Sequence, residues 1–283
     1  MRAIKPHRPA LRYYGGKWRL APWILSFAPP HACYCEPFSG GASILLRKDR
    51  APAETINDLD GEIQAFFRVL RDRGPELIEK IRLTPFSRRE WEESKDRSGC
   101  DELEAARRVY IRSWQSMHGG LRPNKTGWRQ CRGTSRLTSA ADEFADVSAL
   151  PLIVDRLRGV QIESDEASNV IRRYDSSETL FVVDPPYPKA SRSAKWGKDG
   201  YVHEMTTEDH AALLKQLLGV RGMVLLCSYQ TDQYDAALPP AGWKLYQVEA
   251  NCFAGAKAVE SLYVNPLAEE RRSRQTTIWS AKS

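Results

Sequence analysis

Short apolar runs alternate with amphipathic helical segments along most of this chain, and this alternation is the strongest constraint on its fold. The runs Leu180–Val183 and Met223–Ser228 are strand-sized, and apolar residues recur at helical spacing in Asp60–Arg73. The pattern predicts an α/β fold with a mostly parallel, twisted sheet covered by helices on both faces. Further strands are predicted at Ala32–Glu36, Glu54–Asn57, Trp243–Ala250 and Ser261–Val264, and further helices at Ala42–Lys48 and Thr206–Leu218.

Residues 84–150 interrupt this alternation. Ser87–Trp114 is predicted to be helical, and a basic, glycine-containing stretch follows it. We therefore expect residues 1–83 and 151–267 to form two parts of one α/β domain, with 84–150 as an inserted, mainly helical subdomain. Residues 268–283 show no clear periodicity and are expected to be a mobile tail.

Length and composition favour an ordinary globular protein. The chain has 283 residues, of which 42% are hydrophobic, so it can bury a core. No apolar stretch approaches the roughly 20 residues that span a bilayer, and the basic segment Met1–Pro9 leads into no apolar run. The six cysteines include no C-x-x-C pair. We expect a cytoplasmic protein with reduced thiols and no structural metal, and the sequence predicts no oligomer.

The net charge of +6 is concentrated in one place. Residues 105–136 carry eight Arg and Lys and no acid, so the rest of the chain sums to −2. Aromatic side chains are interleaved with these cations, a pattern that suits phosphates and bases. The alternative is a solvated loop in which Trp114 and Trp128 anchor the segment to the core.

Two polar segments follow predicted strands in the first part of the domain. Glu36–Ser43 forms a glycine-containing turn, at the kind of strand end where α/β proteins bind ligands. Asp58 follows the next strand, where a carboxylate can accept hydrogen bonds from ribose hydroxyls. The alternatives are a plain tight turn for Glu36–Ser43 and a helix N-cap for the acids, and the two roles can coexist across Asp58 and Asp60.

The sharpest signal is Asp184–Pro185–Pro186–Tyr187, directly after an apolar strand. An acid there is costly to bury without a partner, and the prolines leave neighbouring carbonyls free to accept hydrogen bonds. A carboxylate, a carbonyl and an aromatic ring together can hold a planar amino group. A proline-braced strand end is the alternative. Tyr13–Lys17 adds aromatics, two glycines and a cation, although alone it is typical of a loop.

Taken in order, these segments resemble the Dam-type DNA adenine-N6 methyltransferases, the alpha group of amino-methyltransferases. Tyr13–Lys17 is similar to the family's aromatic-x-G-G-K element, Glu36–Ser43 to its cofactor loop, and Asp184–Tyr187 to its D-P-P-Y tetrapeptide. The resemblance covers about residues 11–267. It implies a Rossmann-like methyltransferase fold, S-adenosylmethionine as cofactor, double-stranded DNA as partner, and methyl transfer to a flipped-out adenine with no metal.

The resemblance also implies roles for individual residues. Asp184, Pro185, Pro186 and Tyr187 would form the catalytic site, with Asp184 and the Pro185 carbonyl accepting the adenine amine and Tyr187 stacking on the base. The cofactor contacts would be Tyr13, Gly15, Gly16, Lys17, Glu36, Pro37, Phe38, Gly40, Gly41, Ser43, Asp58, Asp165 and Asp184. The DNA contacts would come from Arg107, Arg108, Arg112, Gln115, Arg122, Asn124, Lys125, Trp128, Arg129 and Arg132.

This chain departs from the family pattern at three positions. Ala42 stands where glycine is common, Tyr13 replaces a frequent tryptophan, and Ser164–Glu166 differs from the usual Asp–Phe beside the cofactor's adenine. Three other functions stay open at this point: methylation of cytosine N4 or an RNA base, a non-catalytic DNA-binding module, and an oxidoreductase. The oxidoreductase is disfavoured because the glycine spacing fits no dinucleotide.

Overall fold

A seven-stranded sheet forms the centre of the computed structural model, which describes residues 5–117, 119, 121, 127–130, 139–191, 200–251 and 257–280. The spatial order is β3-β2-β1-β4-β5-β7-β6. The strands are β1 (Cys33–Glu36), β2 (Ala53–Asn57), β3 (Val160–Glu163), β4 (Thr179–Val183), β5 (Met223–Ser228), β6 (Lys244–Asn251) and β7 (Lys257–Val264). The first five in spatial order are parallel, whereas β7 and β6 add an antiparallel edge.

Helices cover both faces of the sheet. They are α1 (Ala21–Leu25), α2 (Ser43–Arg47), α3 (Gly61–Asp72), α4 (Gly74–Arg82), α5 (Arg88–Glu93), α6 (Glu102–Gln115), α7 (Ala140–Ala145), α8 (Leu150–Leu157), α9 (Ala167–Tyr174), α10 (Thr207–Leu218), α11 (Asp232–Ala237) and α12 (Pro266–Ser280). None of the described helices is long and apolar enough to cross a membrane.

The alternation of side chains along β4 explains the two-sided core. Leu180 and Val182 join one apolar cluster, while Phe181 and Val183 join the other. Every residue of β4 and β5 is buried, as expected for central parallel strands with helices on both faces. The predicted mostly parallel α/β fold is confirmed.

The helix predicted over Ser87–Trp114 is instead two helices, so that prediction is wrong for residues 94–101. Gly99 adopts a positive φ of 67°, a conformation that ends a helix rather than continuing it. Asp101 then caps α6, since its side chain accepts a hydrogen bond from the backbone N–H of Glu104.

The chain end also differs from the expected tail. Residues 266–280 form α12, and Ala268 on its first turn is fully buried. Glu269 pairs with Lys244 on β6, and the Arg272 guanidinium lies over the ring of Phe27. The expectation failed because α12 is held by contacts with distant segments, which its own periodicity does not reveal.

The inserted region packs closely on the α/β domain. Val109, Tyr110, Ile111 and Trp114 of α6 belong to the same apolar cluster as Phe66 of α3. Its helical character agrees with the sequence prediction, while the boundaries at residues 84 and 150 stay a prediction.

Candidate active site

The two most informative motifs lie side by side at one edge of the sheet. β1 and β4 are parallel neighbours, and from β1 the chain continues to β2 on one side, whereas β4 is followed by β5 on the other. The loops after β1 and β4 therefore diverge at a topological switch point, where α/β folds form ligand crevices.

A cavity of about 650 Å³ opens at this point. It has the size of a pocket for a small molecule or cofactor. Most of the predicted site residues line it, namely Tyr13, Gly15, Gly16, Lys17, Glu36, Pro37, Phe38, Gly40, Gly41, Ser43, Asp58, Asp184 and Pro186. Pro185, Tyr187 and Asp165 do not line it.

Lys17 and Asp184 form an ion pair at the floor of the cavity. The Lys17 Nζ lies 3.0 Å from Asp184 Oδ1, and it donates a hydrogen bond to the Gly15 carbonyl at 2.9 Å. The Lys17 side chain is 5% exposed, while that of Asp184 is 20% exposed and faces the cavity. Asp184 Oδ1 is buried beside the Lys17 ammonium, so the exposed part of the carboxylate is the part that can accept hydrogen bonds in the cavity.

Asp184 and Lys17 each change the pKa of the other. Burial raises the pKa of Asp184 to about 6, and the Lys17 ammonium limits that rise. Burial opposes the charge of Lys17, but Asp184 and Glu260 raise its pKa above the ordinary lysine value. Asp184 is therefore a carboxylate at neutral pH, next to a cation.

Tyr187 is held from behind the cavity. Its hydroxyl donates to Glu260 Oε2 at 2.8 Å, and its ring meets the edge of Tyr229 at a centroid distance of 4.7 Å. The Lys17 Nζ lies 4.5 Å from the ring centroid. Sequence reasoning did not identify Glu260 as a site residue, although it lies within residues 11–267, the range of the family resemblance.

Glu36 ends β1 beneath the cavity. Its Oε1 accepts hydrogen bonds from the Tyr34 hydroxyl at 2.7 Å and from the Leu45 N–H of α2 at 2.6 Å. Burial raises its pKa to about 7 despite these two donors. The side chain thus joins the end of β1 to the helix that follows the glycine turn.

Tyr13 packs directly on that glycine turn. Gly40 has a φ of 45°, and a Cβ there would lie 2.5 Å from Tyr13 Cε1, so only glycine fits. Ala42 also has a positive φ of 50° without being glycine, which costs about 1 kcal/mol. That conformation gives a physical reason for the glycine that the family commonly has at position 42.

Asp58 and Asp60 both line the cavity, and one of them also caps a helix. Asp58 accepts N–H bonds from Gly40 at 2.8 Å and Asp60 at 2.9 Å, and it lines the cavity. Burial raises its pKa. Asp60 is the N-cap of α3, since its side chain accepts from the Glu62 N–H.

Asp165 does not take the place predicted for it. Its carboxylate accepts from Arg173 at 2.8 Å and from Asn169 at 3.0 Å, so it points along α9. The cavity wall on this side is formed by Glu166, Ala167 and Ser168 instead. A side-chain contact from Asp165 to the cofactor is therefore withdrawn.

Further cavity residues come from segments that sequence reasoning did not assign to the site. Asn57 on β2 donates to the carbonyls of Pro37 and Asp165, which ties the ends of three strands together. The opposite wall comes from the segment before α10 and from α10 itself, with Tyr201, Val202, His203, Met205, Leu213 and Gln216. These wall residues lie within residues 11–267, the range of the family resemblance, but outside its N-terminal, cofactor-loop and D-P-P-Y segments.

The comparison with protein families agrees with this geometry. Residues 13–230 match the family described as D12 class N6 adenine-specific DNA methyltransferase. The chain belongs to this family. The match begins at the cavity residue Tyr13 and ends just after β5, so it includes the glycine turn and the D-P-P-Y segment. No curated protein matched the chain.

Membership settles the class of reaction. The protein is an adenine-specific DNA methyltransferase, and its family implies S-adenosylmethionine as the methyl donor and DNA as the substrate. The predictions of enzyme class and adenine-N6 chemistry are confirmed. No cluster of three or more metal-ligating side chains occurs among the described residues.

The predicted DNA contacts of this methyltransferase require correction at two positions. Gln115 is fully buried: its side chain accepts from the Ser87 N–H and donates to the Pro85 carbonyl. Arg112 is 8% exposed and pairs with Glu62 of α3 at 2.6 Å. Neither side chain reaches the surface, so neither can read a base edge.

Three other predicted cations are neutralised within the protein. Arg107 pairs with Glu90 and Glu104, each at 2.7 Å. Arg108 shares Glu104 at 2.9 Å, and Arg129 pairs with Glu143 at 2.6 Å. The acids lie outside residues 105–136, which is why the stretch looked uncompensated. Arg122, Asn124, Lys125 and Arg132 lie outside the described residues.

Proposed function

We propose that Asp184 is the acceptor that orients the adenine N6 amine for methylation. The observation that supports this role is a cavity-facing carboxylate at the end of β4, which stays 20% exposed while its Oδ1 pairs with Lys17. The adenine amine is a weak nucleophile because its lone pair is delocalised into the ring. Accepting its N–H bonds at Asp184 and at the Pro185 carbonyl favours a pyramidal nitrogen with a directed lone pair.

The Lys17–Asp184 pair sets the charge that this role needs. A carboxylate accepts hydrogen bonds, whereas the protonated acid would donate one and compete with the amine. Lys17 favours the carboxylate. The amine loses its proton after the methyl group has moved, when the product nitrogen is acidic, so no strong base is required.

The cavity fits S-adenosylmethionine by its donor set. Bound there, the cofactor supplies a methyl group on a sulfonium. Asp58 can accept from ribose hydroxyls, because each of its oxygens takes only one N–H bond from the described residues. Lys17 is the cation for the cofactor's carboxylate, and the acidic floor favours a sulfonium. The proposed contacts are Tyr13, Gly15, Gly16, Lys17, Glu36, Pro37, Phe38, Gly40, Gly41, Ser43, Asp58 and Asp184.

The adenine must leave the double helix to meet this cavity. A stacked base cannot reach a carboxylate at a strand end, so we propose that the target is flipped out, which costs a few kcal/mol of unstacking. Tyr187 is only 5% exposed and has Lys17 close to its ring. Stacking of the adenine on Tyr187 therefore requires neighbouring side chains to move when DNA binds.

Asp184→Asn tests the proposal. Transfer of labelled methyl groups to unmethylated genomic DNA, measured at saturating S-adenosylmethionine, should fall at least roughly 100-fold. Asp232→Asn, an exposed change on α11, should leave transfer unchanged. Nucleoside analysis should detect N6-methyladenine with the unaltered protein. Full activity of Asp184→Asn would contradict the proposed role.

A further inference from the structure

The cations of the inserted region fall into two groups. Eight Arg and Lys are described between residues 84 and 150, and six of them form ion pairs with carboxylates within the protein. Arg88 and Lys95 are the other two: within the described part of the chain, neither has a carboxylate partner. Both are exposed. Among the described cations of this region, these two are therefore the ones that no internal carboxylate compensates and that an external anion can reach.

Both cations lie against tryptophan rings. The Arg88 guanidinium carbon is 4.9 Å from the centroid of Trp128, and the Lys95 Nζ is 3.3 Å from that of Trp91. Arg88 begins α5, and Lys95 lies just past its end, seven positions later. The rings orient the two side chains without cancelling their charge.

The tryptophan rings are fixed in turn by the end of α6. The Trp91 indole N–H donates to Ser116 Oγ at 2.7 Å, and that of Trp128 donates to Gln115 Oε1 at 3.3 Å. Ser116 and Trp128 also pair as an antiparallel bridge. Arg88 and Lys95 thus flank the base that this bridge forms with the end of α6.

This base is connected to the methyl-transfer cavity. The Arg12 guanidinium donates to the Ser116 carbonyl at 3.3 Å, and Arg12 precedes Tyr13 in the cavity wall. Gly119 lies so close that a Cβ there would be 2.8 Å from the Arg12 carbonyl oxygen. A duplex with a base in the cavity would therefore have its backbone near this surface.

We infer that Arg88 and Lys95 form a contact surface for the phosphate backbone of the DNA substrate. The inference rests on the proposed entry of the adenine into the cavity. Exposed, uncompensated cations bind phosphates and release counterions, and a guanidinium held against an indole has part of its side-chain freedom already restricted. Glu92, exposed one turn after Arg88, is the opposing charge on this face.

The salt dependence of DNA binding tests the surface without knowledge of the recognition sequence. Binding of a labelled, mixed-sequence duplex is measured by fluorescence anisotropy over a range of salt concentrations. Arg88→Gln and Lys95→Gln should each reduce the slope of log affinity against log salt by about 0.9, and the double variant by about 1.8. Arg88→Lys should keep the slope, and Glu92→Gln should tighten binding.

Arg89→Gln is the matched control. Arg89 neighbours Arg88 and is 87% exposed, but it pairs with Glu93 at 2.7 Å, so its loss should leave the slope unchanged. An unchanged slope in Arg88→Gln and Lys95→Gln would overturn the inference, as would an equal loss in Arg89→Gln. S-adenosylmethionine binding and methyl transfer at saturating DNA should persist in all these variants. If Asp184 did not have its proposed role, the methyl-transfer assay would show this, whereas the salt slope of DNA binding would not.

Discussion

Lys17 and Asp184 come from opposite ends of the family match, and their meeting is the central residue-scale feature of the site. Each is recognisable from a short motif, Tyr13–Lys17 and Asp184–Tyr187. The 3.0 Å ion pair between them follows from the adjacency of β1 and β4, with Tyr13–Lys17 packed on the turn after β1. Only the assembled sheet places a cation next to this carboxylate.

The pH dependence of methyl transfer should report this pair. The pKa of Asp184 is raised to about 6 by burial, so kcat/KM should fall as the pH drops through that value and the acceptor becomes protonated. Lys17→Met removes the cation that favours the carboxylate, so the acidic limb should move to higher pH. Lys215→Met, an exposed change on α10, should not move it. A limb that stays in place in Lys17→Met would contradict the coupling.

Glu260 should act on the reaction through Tyr187. Glu260→Leu removes the acceptor of the Tyr187 hydroxyl, and kcat should fall roughly 10- to 100-fold because the ring loses its orientation. Glu260→Gln keeps an acceptor oxygen and should retain kcat within a few fold. In a Tyr187→Phe background, Glu260→Leu should have little further effect on single-turnover rates. Additive losses would show that Glu260 does not act through Tyr187.

At the scale of elements, the packing of the helices shows a different role for the basic stretch of residues 105–136. Along the chain it carries eight cations and no acid, and the family resemblance implied that Arg107, Arg122 and Arg129 contact DNA. In the fold, Glu90 on α5 pairs with Arg107, and Glu104 at the start of α6 pairs with Arg108. Glu143 on α7 pairs with Arg129. These arginines join helices to one another, and the expectation is revised for Arg107 and Arg129.

Arg107→Gln should therefore weaken the fold and leave the salt slope of DNA binding unchanged. Hydrogen bonding from Arg107 is the main cause that lowers the pKa of Glu104, to about 2. A lowered pKa contributes stability above about pH 4.5 that is lost as the pH falls toward 2. Melting temperatures measured over this range should show a smaller acid dependence in Arg107→Gln. A flattened salt slope with unchanged melting would support the original expectation instead.

At the scale of the whole molecule, the parallel and the antiparallel parts of the sheet have different roles. The parallel strands carry the cavity at their carboxyl ends, whereas β7, β6 and α12 close the other side. The Asn265 side chain accepts from Val224 of β5 and from Ala268 of α12, and it donates to the Gly222 carbonyl. Through this residue, α12 is joined to the central sheet.

Ala268→Asp should destabilise the whole domain. It places an unpaired carboxylate at a fully buried position, and we expect a loss of roughly 2–4 kcal/mol in the free energy of unfolding. Arg274→Gln on the same helix removes a pair between exposed side chains and should cost less than about 1 kcal/mol. Denaturant unfolding curves measure both. Similar stabilities for the two variants would mean that α12 behaves as the expected tail.

The sequence alone determined the features that depend on neighbouring residues and on the periodicity of apolar side chains. Strand and helix alternation predicted the α/β fold, and Asp184–Tyr187 with Glu36–Ser43 indicated the chemistry, because local composition decides burial and turn geometry. The tertiary structure decided which charges are free. Arg107 and Gln115 looked available in sequence and are occupied, while Arg88, Lys95 and Glu260 attracted no notice. The physical reason is that charge compensation and burial depend on distances between segments far apart in the chain, which neither composition nor periodicity encodes.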